Sequence, residues 1–413
     1  MLWNQIIRRY KADLFTPEDL KITMAKSIRV LIADDSSVTR RIVSESLSRE
    51  PDMEIVGAAQ DGEEAIAFFK AQKPDVVLLD VDMPTVNGIE ALKAIRKIND
   101  SVPVIMFSTL TVRGGEATLD ALAAGATDYA AKPTGVGHLD KAMSYLRQEV
   151  VPKVRMWGSR YKLRMEKTAG VAPPERVQPP RDAIASRGTS SFTVTAPKAP
   201  PAATMAARRR SGTVNCLAIG ASTGGPNALA ELIGLLPGDL GVPVLIVQHM
   251  PPVFTQLLAE RLDRGSRLTV KEGFDGAVVR PGEVWVAPGD FHMVVSREGT
   301  ETLLRTNKQA AENSCRPAVD VLFRSVANVY GANTLAVVLT GMGRDGTVGC
   351  QALSKCGAGI LVQDEASSVV WGMPRSVYEA GLAESMLNIK DLAAAITTRI
   401  RAANSTHAAL ATR

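Results

Sequence analysis

Three polar side chains in this sequence each follow a short apolar run of the kind that forms a buried strand. Ser222 lies in Gly220-Ala221-Ser222-Thr223-Gly224-Gly225-Pro226 after residues 216–219, and His249 lies in Gln248-His249-Met250-Pro251 after residues 242–247. Asp345 lies in Thr340-Gly341-Met342-Gly343-Arg344-Asp345-Gly346 after residues 335–339. Such spacing delivers a nucleophile, a base and a carboxylate to the ends of three strands, the edge of an open α/β sheet where chemistry sits. A Ser-His-Asp set is defined by geometry and role rather than chain order, so the pattern reads as serine hydrolysis.

The local sequence around Ser222 fits that chemistry. Gly224 and Gly225 permit a sharp strand-to-helix turn, Pro226 suits a first helical turn, and helix amides there face any developing negative charge. A phosphate-cradling loop is the rival, but no Gly-Lys-Ser/Thr follows. Among the four histidines, His138 lies in the N-terminal part, His407 in the tail, and His292 follows a turn sequence; His249 directly follows a strand and is the expected base. Asp345 is expected to accept the second imidazole N–H. The Met342-Gly343 backbone is a candidate oxyanion donor, with Thr223 assisting. Cys315, just ahead of an amphipathic segment (Val319, Leu322, Phe323, Val326), is expected to be a buried or inert thiol.

The N-terminal part carries a second set. Residues 27–150 alternate strand and helix through five βα units, the pattern of a doubly wound parallel sheet. Asp34 and Asp35 follow the first strand, Asp80 ends the third, Ser108 the fourth, and Lys132 follows the fifth. The aspartate pair alone would serve equally well as helix-capping carboxylates. With the other strand ends matched, the carboxylates call for a hard divalent cation such as Mg²⁺, and Asp80 could accept a phosphoryl group screened by the metal and Lys132.

Residues 27–150 resemble a response-regulator receiver domain, on Asp34-Asp35, Leu79-Asp80-Val81-Asp82-Met83-Pro84, Asn87-Gly88, Ser108 and Lys132-Pro133. The resemblance implies that Asp80 is the phospho-acceptor and that Asp35, Asp80 and the Asp82 carbonyl bind Mg²⁺, Asp34 acting through water. It also implies that Ser108 and Lys132 contact the phosphoryl group and that Tyr129 reports the switch. Asn87 departs from the usual Asp. A receiver followed by a linker and the Gly-Ala-Ser-Thr-Gly-Gly-Pro domain resembles the chemotaxis response-regulator protein-glutamate methylesterases, which also deamidate glutamine. That resemblance covers 27 to about 400 apart from the linker, and Arg344 stands where Asn is usual. It implies demethylation of glutamyl methyl esters on methyl-accepting chemoreceptors, a chemotaxis histidine kinase as phosphodonor, and no cofactor in the catalytic domain. A receiver-controlled binding module with an inactive hydrolase domain, or a hydrolase of other esters, are the alternatives.

Composition frames these parts. The chain has 413 residues, 46% of them hydrophobic, enough for two or three cores. No apolar run approaches the ~18 residues of a membrane span, and no secretory h-region opens the chain. Four scattered cysteines fit a reduced, cytoplasmic protein. The net charge of +5 is concentrated between Arg155 and Gly212, where twelve basic side chains face three acids among many prolines, so the remainder is net acidic. That argues against nucleic acid as a partner and reads the segment as a flexible tether. The expected organisation is an N-terminal extension (1–26), a receiver (27–150), a flexible basic linker (151–212), a C-terminal α/β parallel-sheet hydrolase domain (213–402) and a frayed tail (403–413). Met24, just ahead of the first strand, is the expected natural start.

Overall fold

The computed structural model describes residues 27–133, 139–169 and 213–411. The expected extension 1–26 with its Met24 start, linker residues 170–212, His138 and the His407 side chain lie outside the described residues.

The first unit runs β1 (Ile28–Ala33), α1 (Ser37–Ser48), β2 (Met53–Ala59), α2 (Gly62–Gln72), β3 (Val76–Asp80), α3 (Gly88–Ile98), β4 (Val104–Ser108), α4 (Val112–Ala123) and β5 (Asp128–Ala131). Its sheet has the order β2-β1-β3-β4-β5 with every pair parallel. Helices cover both faces, so β3 and β4 are buried at every residue. Side-chain caps fix where the helices start: Ser36 accepts from the Thr39 N–H, and Asn87 forms a reciprocal capping box with Glu90. Asn87 therefore starts α3, a task for which Asn and Asp are equivalent.

The expected boundary at 151 does not hold. After α5 (Leu139–Tyr145) and a π turn (Leu146–Val150), the chain continues as α6 (Val151–Ala169). Val150, Val151, Val154 and Trp157 are buried against Ile28 and Val30 of β1, and the Trp157 indole N–H donates to Asp128 Oδ2 at 3.2 Å. Basic residues here are tied to the first unit: Arg155, counted with the tether, pairs with Glu50 and Asp52, and Lys153, just ahead of that count, pairs with Asp128. Charge density hid an apolar helix face.

The second unit is built on β6 (Cys216–Ala221), α7 (Gly225–Leu235), β7 (Val244–Gln248), α8 (Phe254–Arg264), β8 (Thr269–Glu272) and β9 (Glu283–Val286). A hairpin, β10 (His292–Glu298) and β11 (Glu301–Asn307), precedes α9 (Val319–Tyr330), β12 (Thr334–Val338), α10 (Thr347–Cys356), β13 (Gly359–Gln363), α11 (Met373–Glu379), β14 (Ser385–Leu387) and α12 (Ile389–Ala411). The seven-stranded sheet has the order β14-β13-β12-β6-β7-β9-β8, all parallel. The order reverses at β6, so the switch point lies between β12 and β6 and their carboxyl ends open toward the ligand edge. The tail expected from 403 is helical to Ala411 as the end of α12.

The two units pack together through α4. Leu119 and Leu122 share an apolar cluster with Phe254, Leu257 and Leu258 of α8. The Asn227 amide donates to Leu122 O at 2.8 Å, and Arg160 of α6 donates to Val369 O at 2.8 Å. Among the described residues no helix is long and apolar enough to cross a membrane.

Candidate active site

Ser222 leaves the fully buried strand β6 and is held by its backbone. Its N–H donates to Thr340 O at 3.0 Å, and its carbonyl accepts from the Gly225 N–H at 2.8 Å and from Gln248 Nε2 at 2.9 Å. Gly224 stands at φ +79°, the left-handed region that favours glycine. At Gly225 a Cβ would sit 1.8 Å from Gln248 Oε1, so the turn admits no side chain there.

Register brings the base alongside. Ala221 of β6 pairs with Gln248 of β7, so the next residues, Ser222 and His249, emerge side by side. His249 Nε2 lies 2.8 Å from Asp345 Oδ2, and the His249 side chain is 12% exposed. The carboxylate accepts, so Nε2 carries the proton and Nδ1 is the nitrogen left for a reacting group. Among the described residues the Ser222 hydroxyl makes no hydrogen bond to the ring; Nδ1 instead faces the Cys315 sulfur at 3.4 Å. The expected buried or inert thiol thus touches the candidate base. It is half-buried against the candidate base, a contact no helical periodicity reports.

Asp345 is buried and saturated. Oδ2 accepts from Val319 N–H at 2.7 Å, and Oδ1 accepts from Asp320 N–H, Gly346 N–H and Asn313 Nδ2, each at 2.9 Å. Burial pushes its carboxyl up, but His249 and the first amides of α9 outweigh burial and hold it below the ordinary range. Burial likewise pushes the imidazole down, while Cys315 and Asp345 outweigh it and raise His249. His292 is buried elsewhere: Nδ1 accepts from the Ala318 N–H and Nε2 reaches Ala310 O, a structural tie.

Thr223 is buried, its carbonyl accepting from the Thr340 hydroxyl at 2.9 Å. Met342 packs with Val370 against the apolar cluster of the first unit, and Arg344 is exposed. Gln248 had no role in the sequence reading, yet its Nε2 donates to both Ser222 O and His249 O and so ties the two strand ends together. Its signal was a lone polar residue ending an apolar strand, repeated at Gln363, whose Oε1 accepts from the Thr340 N–H.

On the first unit, one oxygen each of Asp34, Asp35 and Asp80 lie within 4.8 Å of one another, a hard all-oxygen donor set that fits Mg²⁺. Lys132 Nζ lies 2.8 Å from Asp34 and 2.7 Å from Asp80. Burial, then the repulsion of Asp34, pushes Asp80 up to about 6 against the pull of Lys132. The Asp82 side chain turns out of this group toward Arg113 at 3.6 Å. Ser108 is buried at its strand end, but its hydroxyl bonds with Thr118 and Gly114 of α4 rather than with Asp80 or Lys132. Tyr129 faces the other unit. Its hydroxyl donates to His249 O at 3.3 Å and its ring stacks on Phe254, centroids 5.5 Å apart.

Comparison with known proteins agrees with both halves. Residues 217–396 match the family described as CheB methylesterase, and residues 30–144 match the response regulator receiver domain. A protein-glutamate methylesterase/protein-glutamine glutaminase of Trichodesmium erythraeum (strain IMS101) is 44% identical over 372 residues, 90% of this chain and 99% of that protein. One from Nocardioides sp. (strain ATCC BAA-499 / JS614) is 43% identical over 373 residues, 90% of this chain and 95% of that one. The crystal structure of the Thermotoga maritima CheB methylesterase catalytic domain is 41% identical, covers 45% of this chain and 98% of its own, and has a TM-score of 0.44.

Proposed function

This chain belongs to the protein-glutamate methylesterase/protein-glutamine glutaminase family, and from that premise we propose that Ser222, His249 and Asp345 carry the hydrolysis of glutamyl methyl esters and glutamine amides on chemoreceptors. The observation that supports the assignment is the 2.8 Å His249–Asp345 bond at the strand end paired with that of Ser222. The Ser222 hydroxyl attacks the γ-carbonyl carbon while its proton passes to His249 Nδ1. Asp345 stabilises the imidazolium, and the Met342 and Thr223 amides are the candidate donors to the oxyanion. The C–O bond to the methoxy group breaks, and methanol leaves with the His249 proton. Water then adds to the acyl-enzyme, its proton going to His249, and releases glutamate with Ser222 restored. With glutamine, ammonia leaves by the same route. The cytoplasm is the compartment this reading requires.

Asp80 is the proposed phospho-acceptor. Its carboxylate oxygen attacks the phosphorus of a phosphohistidine on the chemotaxis histidine kinase, the P–N bond breaks, and the kinase imidazole leaves. Mg²⁺ held by Asp35 and Asp80, with Asp34 behind them and the Asp82 carbonyl beside them, would neutralise charge on the transferring group. Lys132, already paired with Asp80, would follow the new phosphoryl oxygens, and Ser108 would have to rotate off Gly114 to reach them. Tyr129, the expected reporter of the switch, reaches the backbone of His249 through its hydroxyl. In the docked arrangement Nδ1 faces Cys315 and the first unit stands beside the catalytic edge, which fits a resting state that phosphorylation releases.

Methanol release from methylated chemoreceptor membranes, with Mg²⁺ and a small phosphodonor present or absent, tests the activity. Release that rises with phosphodonor is expected; none, with Asp80 verifiably phosphorylated, would remove this substrate.

Two glycines give opposite predictions in that assay. A Cβ at Gly341 would lie 2.8 Å from Ser222 Cβ and 2.4 Å from Met373 Sδ. Gly341→Ala should displace the nucleophile and lower kcat roughly 100-fold; a rate near wild type would show that Ser222 need not sit where it does. A Cβ at Gly115 on α4 would lie 2.5 Å from Leu257 Cδ1 of α8. Gly115→Leu should wedge the units apart, raise the unphosphorylated rate and shrink the phosphodonor response. An unchanged basal rate would detach inhibition from this contact.

A further inference from the structure

One loop touches both members of the His249–Asp345 pair. Residues 312–315 close through reciprocal backbone bonds, Glu312 N–H to Cys315 O at 3.1 Å and Cys315 N–H to Glu312 O at 2.9 Å. Arg324 of α9 grips Glu312 with two parallel bonds of 2.7 and 2.6 Å, a fork geometry that fixes the loop's position. From one end of this loop Cys315 meets His249 Nδ1; from the other, Asn313 meets Asp345.

Asn313 stands at φ +53°, a conformation Asn tolerates better than most side chains. Its Nδ2 donates to Asp345 Oδ1 at 2.9 Å and to Asp320 Oδ2 at 3.0 Å. Asp320 is 1% exposed and, among the described residues, has no ion-pair partner; its other oxygen accepts from the Gly349 N–H at 2.6 Å. Two neighbouring buried carboxylates repel, and an amide nitrogen with two hydrogens satisfies one oxygen of each. Asp320 also decides which way the amide faces, since the flipped group would set Oδ1 against two acceptors.

We propose that Asn313 is a positioning residue for hydrolysis: it holds Asp345 in the orientation that binds His249, and Asp320 orients Asn313. The proposal rests on the assignment of Ser222, His249 and Asp345. It makes the second carboxylate a support for the amide rather than an acid or base. Because Asn313 is exposed, removing its side chain opens no cavity in the core, though it leaves Asp345 and Asp320 each one donor short.

The test is steady-state methanol release by the full chain carrying Asn313→Ala, Asp320→Asn or both, beside Ser222→Ala. Asn313→Ala should lower kcat roughly 10- to 100-fold with KM within about twofold, and lower melting by no more than the loss of its two hydrogen bonds to Asp345 and Asp320 requires. If Asp320 acts through Asn313, the double variant should be no slower than the slower single variant. Asn313→Asp, which needs no buried change, should be slower than Asn313→Ala because it adds a third carboxylate. Wild-type kcat in Asn313→Ala, a loss confined to KM, multiplying effects in the double variant, or an Asn313→Asp variant faster than Asn313→Ala would each overturn the proposal. Turnover that survives Ser222→Ala would instead overturn the underlying assignment.

Discussion

Ser222→Ala lowers methanol release from methylated receptors by roughly 10⁴- to 10⁶-fold, the scale on which removing an activated serine costs a hydrolase that works through an acyl-enzyme. Among the described residues no group besides Cys315, whose sulfur faces His249 Nδ1, is placed to substitute. Thr223, the next residue, is buried with its carbonyl tied to Thr340, and Cys315 approaches the ring rather than the turn at Ser222. The hydroxyl is small and half-buried, so its loss should leave melting within about 0.5 kcal/mol of wild type. Ammonia release from glutamine must fall in parallel, since both leaving groups depart from one tetrahedral centre. Phosphorylation of Asp80 must be unaffected. A variant that retained one activity and lost the other would separate the two reactions. Residual methanol release above a few per cent would move the nucleophile away from Ser222.

Much of this arrangement was legible in the sequence because the proposed site residues sit at strand ends. β6, β7 and β12 are continuous apolar runs, each followed by a polar residue, in a glycine-rich turn after β6 and β12 and in a proline-rich one after β7; β1 likewise leads into Asp34 and β3 ends on Asp80. Strand order and register are not local properties. That Ala221 faces Gln248, and so sets Ser222 beside His249, depends on which strands pair. The loop carrying Asn313 and Cys315 was opaque for a similar reason: periodicity located α9 but not what the turn before it would touch. Residues 151–169 were misread because many Lys and Arg residues surrounded Val154 and Trp157, whose burial depends on a partner sheet far earlier in the chain. Docking of α4 on α8 was hidden because Leu119 and Leu122 fit a single-domain core equally well.

Asp80→Asn is expected to abolish the phosphodonor response and at the same time to stabilise the first unit, because Asp80, the proposed phospho-acceptor, is held in a site that disfavours its charge. Burial and Asp34 raise its carboxyl to about 6, against 3.8 as a free side chain. Between those two values the folded state keeps a proton that the unfolded state has lost, so stability falls as pH rises through this window and the full cost is present at neutral pH. At about 1.4 kcal/mol per pH unit the cost is about 3 kcal/mol. Asparagine removes it but leaves Lys132 with Asp34 alone, so the net gain should be about 1–3 kcal/mol, or roughly 2–4 °C of melting temperature per kcal/mol. Three controls separate this origin from an incidental packing effect. At pH 5, where Asp80 is protonated in the folded wild type, the gap in melting temperature should shrink. Mg²⁺ at neutral pH should also close it, because a cation bound only by folded wild type adds stability there. Methanol release without phosphodonor should stay at the wild-type basal level, since the substitution leaves the docked interface untouched. A variant no more stable than wild type in metal-free buffer at pH 7.5, or a gap indifferent to pH and Mg²⁺, would show that the carboxylate cluster stores no such energy. The switch would then have to draw its driving force from the phosphoryl group alone.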